Sequence, residues 1–142
     1  MRFKTLAAVL AATCLAVWGT NVATAGTTLS TDLVGAEERP GPGDPDGTGF
    51  VTLEMNQGQG EICFEFTLSG IDAATAGHIH KAPAGEPGDV FVPLFGSEGP
   101  GAKCVDATKA QIKEIRKNPE MFYVNVHTAT FPGGAVRGQL GD

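Results

Sequence analysis

Three histidines, His78, His80 and His127, are the only imidazoles in a chain of 142 residues. The first two have HxH spacing inside residues 76–81, AGHIHK. On a strand, alternate residues share a face, so His78 and His80 point the same way with Cα atoms about 6.5–7 Å apart. Two imidazoles so placed converge on one ion. A third from a neighbouring strand makes a three-nitrogen site with an open position. His127 lies in a second strand-like run, residues 121–128, and imidazole ligands suit copper and zinc best. A lone histidine more often bonds a backbone carbonyl under a loop. An HxH pair with a distant third gives the metal reading equal weight. Neutral imidazole is the ligand, so affinity is expected to fall as pH drops through about 6.5.

Asn125 stands two residues before His127 on the same strand face. It is a candidate to orient a metal-ligating histidine by a hydrogen bond, or to bond a neighbouring backbone. Glu65, Asp72 and Glu86 are the candidate supporting carboxylates, and the sequence does not choose among them. Arg137 is expected to form a structural ion pair with an acid such as Glu37 or Glu65. Other chemistries find no motif. Ser69 and Ser97 lie in Gly-containing loops without GxSxG, and there is no Walker loop or GxGxxG. Asp44, Asp46 and Gly47 resemble the start of a calcium loop. Its twelfth position is Met55 rather than Glu, which leaves a surface loop.

The elements that hold these residues are mostly strands. Twenty glycines and nine prolines favour turns and short strands over a helix bundle. Residues 27–36 are rich in β-branched types, and 39–49 (RPGPGDPDGTG) form a turn-rich loop. Residues 49–56 and 61–68 make a hairpin, with Ile62, Phe64, Phe66 and Leu68 on the core side and Cys63 on the other. Further strands are expected at 76–81, 90–95, 121–128 and 135–140, with a tight turn at 131–134. The total is seven or eight. In the run 121–128, Phe122, Val124 and Val126 alternate with Tyr123, Asn125 and His127. The one helix spans about 107–118, with Asp106 as N-cap, Ile112 and Ile115 inward, and Asn118-Pro119 as its stop.

Composition bounds the context. The net charge of −6 and pI near 4.9 argue against a nucleic-acid partner, which requires cations against phosphate. Residues 1–25 read as a secretory signal peptide. Arg2 and Lys4 precede an apolar run of about 12 residues, and Ala23-Thr24-Ala25 offers a small-residue cleavage site. That run is too short to span a bilayer, which needs roughly 20 residues. Cleavage removes Cys14 and leaves residues 26–142 without a transmembrane segment. Their charge is 8 − 16 = −8. Only Cys63 and Cys104 then remain, and an oxidising compartment favours one bridge between them.

Three stretches carry a family resemblance. GAEERP (35–40) precedes GTGFVTL (47–53); AGHIHKAPAGEPG occupies 76–88; and YVNVHT, FPGG and RGQL follow within 121–140. Together they resemble the CHRD domain, a module named after chordin, across residues 27–140. The resemblance implies an all-β, Greek-key-like antiparallel sandwich or flattened barrel, similar to immunoglobulin or superoxide dismutase folds, with one short helix. It implies no general biochemical activity. The expected function is an exported, non-enzymatic binding module, periplasmic or extracellular, that holds copper or zinc through the three histidines. Its partner would be an extracellular or envelope protein. The alternative is a copper- or zinc-dependent enzyme using the same histidines for superoxide-dismutase-like or hydrolytic chemistry. Dismutation needs redox copper and usually more histidines than three.

Overall fold

In a computed structural model, residues 26–141 are described. The signal-peptide reading falls on residues 1–25, outside them. Eight strands form one antiparallel sheet: β1 (Thr27–Val34), β2 (Thr48–Asn56), β3 (Glu61–Ser69), β4 (Ala74–Lys81), β5 (Asp89–Phe95), β6 (Lys103–Asp106), β7 (Phe122–Thr128) and β8 (Val136–Gln139). Their order is β5-β4-β7-β8-β1-β2-β3-β6. The sheet curls until β5 and β6 touch, which makes a nearly closed barrel. Closure hides sheet edges that would otherwise template pairing with other chains. Pro93 lies on β5, an end strand of this order, where its missing donor costs least.

The apolar sets predicted from alternation meet inside the barrel. Leu33, Val51, Leu53, Ile62, Ile79, Val124, Val126 and Val136 are fully buried. Phe66 and Leu68 pack against this core while partly exposed. One α-helix, α1 (Lys109–Lys117), closes an end of the barrel with Ile112 and Ile115. Its N-cap is Thr108 rather than Asp106. Thr108 Oγ1 accepts from the Gln111 N–H at 3.2 Å, and Gln111 Oε1 accepts from the Thr108 N–H at 2.9 Å. This reciprocal capping box satisfies two helix-end donors. Asp106 instead ends β6, opposite Glu61. β6 itself was not foreseen. It is four residues long and half exposed, so it carries little periodic signal.

Cys63 and Cys104 stand directly opposite one another on β3 and β6 and are joined by a disulfide. The bond ties the short β6 to the sheet across a sequence separation of 41 residues. Closing a loop of that size stabilises by roughly 4 kcal/mol on the chain-entropy model. The Cys63→Ala/Cys104→Ala double variant should therefore lose about 2–4 kcal/mol in urea unfolding. Thiol titration of the denatured, unreduced chain over residues 26–142 should find no free thiol. Two free thiols would refute the bridge.

Candidate metal centre

β4, β7 and β8 are neighbours in the sheet, and their register decides which side chains meet. His80 is opposite Tyr123 and His78 is opposite Asn125. Ala76 is opposite His127, while Tyr123 and Asn125 face Gln139 and Arg137 on the other side. Cross-strand partners share a face, so these residues form one polar patch. It lies on the side of the sheet away from Ile79, Val124 and Val126. Loops cover it, which is why Asn125, Arg137 and His80 are buried although they point away from the core.

The three histidines predicted from sequence come together. Their ligand nitrogens lie within 4.8 Å of one another. His78 Nδ1 and His127 Nε2 are 3.1 Å apart. Two ligands held 2.0–2.1 Å from a tetrahedral ion would stand about 3.3 Å apart. Backbone carbonyls fix the tautomers of the other two nitrogens. His80 Nδ1–H donates to the Gly88 carbonyl at 2.8 Å, and His127 Nδ1–H donates to the Pro132 carbonyl at 3.0 Å. Both Nε2 atoms are thereby left with lone pairs. His80 Nε2 is buried, with no hydrogen-bond partner among the described residues. A ligating histidine characteristically anchors its second nitrogen in this way.

The cluster favours neutral imidazole. Burial pushes His78 down to about 4, and the adjacent His127 and His80 add to the effect. Burial likewise lowers His80 and His127, against the opposing pull of their carbonyl partners. Neutral rings are the form that binds metal.

Behind His80 lies a stack supplied by three successive strands. Tyr123 lies parallel to His80, with ring centroids 4.8 Å apart and planes 6° apart. Arg137 covers the other side of Tyr123, its Cζ 3.5 Å from the ring centroid. Arg137 does not make the expected ion pair with Glu37 or Glu65. Its guanidinium donates to the Glu86 carbonyl at 2.9 Å, and to the Pro83 carbonyl and Gln139 Oε1 at 3.3 Å each. A planar five-donor group suits several carbonyls at once, and here it pins the 83–86 turn over the patch. Gln139 extends the anchor by donating to the Ala82 and Glu120 carbonyls at 3.0 and 2.7 Å.

Asn125 is where the sequence placed it, 3% exposed, with Oδ1 unpartnered. None of the candidate carboxylates Glu65, Asp72 and Glu86 makes a hydrogen bond with the three histidines. Glu65 is on β3, Asp72 accepts from Thr130 Oγ1 at 2.6 Å, and Glu86 contributes only its carbonyl. The buried carboxylate is Glu38, 3% exposed. It follows a 3₁₀ turn, Gly35–Glu37, and packs against Gly134, where a Cβ would collide with it. Burial raises Glu38 to about 7, with Arg137, the Arg39 N–H and Asn125 opposing. Its alternation-free turn hid it, and its place in the GAEERP segment was the available signal.

A nearly closed antiparallel barrel that carries an imidazole cluster on its outer face, under loops, defines a small β-barrel domain with a candidate metal centre. The CHRD domain pattern matches residues 29–140, and the chain belongs to the CHRD domain family. No curated protein and no solved structure matches the chain. Among the described residues, no helix is long and apolar enough to cross a membrane.

Proposed function

We propose that this chain is an exported binding module that holds one divalent ion, copper or zinc, through His78 Nδ1, His80 Nε2 and His127 Nε2. The observation that carries this reading is the orphaned lone pair of His80 Nε2, aimed from a ring whose other nitrogen is held by a carbonyl. Without metal, His78 Nδ1–H donates to His127 Nε2. With an ion held there, His78 would carry that proton on Nε2 instead, and the three lone pairs would converge. Export is supported by the leader-like residues 1–25 and by the disulfide, which suits an oxidising compartment. Calorimetric titration with copper(II) and zinc tests the reading. One ion should bind per chain, with copper tighter on general affinity order. Absence of stoichiometric binding would make the histidines structural.

The downward shifts of all three imidazoles set the pH dependence. Protons compete with metal only where the rings take them up, and burial has moved that range below the ordinary 6.5. Affinity should begin to fall only below about pH 6.5, as His80 and His127 take up protons, and should be lost as pH approaches about 4, the range to which burial pushes His78. Metal release followed between pH 8 and 4 checks this. A midpoint at 6.5 would contradict it.

An enzymatic reading with the same residues has one specific observation in its favour: three nitrogens leave a metal coordination position open. A bound water there would be acidified for hydrolytic chemistry. Turnover of activated esters by the zinc-loaded protein, lost in His80→Ala, is its test.

A further inference from the structure

Among the described residues, three buried acceptors have no donor. They are His80 Nε2, Asn125 Oδ1 and Glu38 Oε1. The residues carrying them are 8%, 3% and 3% exposed. Leaving such atoms unpaired costs about 1–3 kcal/mol each, so a cluster of three calls for a missing donor. They are neighbours. Asn125 faces His78 across the strand pair, and its amide acts on both His80 and Glu38. Glu38 stands outside the group of nitrogens that lie within 4.8 Å of one another. It is therefore not one of the ligand set. A groove of about 260 Å³ runs between Glu38, Arg39 and the 130–134 turn.

We propose that Asn125 and Glu38 complete a seat for a neutral protic ligand, water being the smallest, at the open position of the metal. This rests on the three-histidine reading above. A metal-bound water spends a lone pair on the ion and keeps two O–H groups. Asn125 Oδ1 and Glu38 Oε1 are the two acceptors for them, while His80 Nε2 is taken by the ion. An aprotic anion such as azide brings no proton to either oxygen, and above about pH 7, where Glu38 is ionised, it also meets the carboxylate. The seat therefore selects protic neutral ligands over aprotic anions, and Glu38 is a positioning residue beside the groove.

Azide titration of the copper(II)-loaded chain over residues 26–142 at about pH 8.5, where Glu38 is ionised, read by its charge-transfer band, tests the seat. Glu38→Gln keeps the shape and removes the charge. It should tighten azide by about tenfold or more and weaken copper by no more than about tenfold. Asn125→Asp adds a charge at the same volume and should weaken azide below wild type. Unchanged azide affinity in both variants overturns the seat. Loss of copper in Glu38→Gln as complete as in His80→Ala also overturns it, because Glu38 would then be a direct ligand. Failure of the wild type to bind copper defeats the three-histidine reading itself, and the seat with it.

Discussion

His80→Ala should weaken copper(II) and zinc binding by at least about a hundredfold, the largest functional effect expected of any single substitution. One of three nitrogens is lost, and it is the one whose lone pair is buried without another partner. The fold should survive. Ile79 and Val124, on the opposite face, keep the barrel core. The Gly88 carbonyl released by the missing imidazole keeps the Tyr123 hydroxyl at 3.4 Å. Calorimetric titration, paired with thermal unfolding of the metal-free protein, separates lost ligation from lost structure. Equal affinity in wild type and variant would make the histidines structural.

Arg137→Met should destabilise the metal-free protein by about 3 kcal/mol, the largest stability effect expected outside the barrel core. Arg137 is 1% exposed. Methionine fills much of the same space but donates nothing. The Glu86 and Pro83 carbonyls and Gln139 Oε1 then lose their charged donor. The cation over Tyr123 goes as well, and with it the support of the ring that stacks on His80. Arg137→Lys should recover only part of the loss, because an ammonium cannot match the planar fork. Urea unfolding measures both variants. A loss below about 1 kcal/mol for Arg137→Met would show that water replaces the guanidinium.

The sequence alone determined what depends on local alternation and on residue type. In β3 and β7 a period of two separates Ile62 and Phe64 from Cys63, and Val124 and Val126 from Asn125 and His127, and this reflects strand geometry that needs no partner. The HxH pair, the third histidine, Asn125 and the cysteine pair were legible for the same reason. Each is a residue type at a telling spacing. Tertiary structure alone decided which strands adjoin. The step from β4 to β7 crosses about 40 residues of chain, and only that pairing brings His127 to His78. It also decided what covers the polar face. Glu38 becomes a buried carboxylate because its loop folds over Gly134. Arg137 becomes a carbonyl anchor because the 83–86 turn closes on it. β6 is a strand because β3 offers it an edge and the disulfide holds it there. Burial of these groups is a property of long-range packing, and a polar side chain carries no local mark of the loop that will cover it.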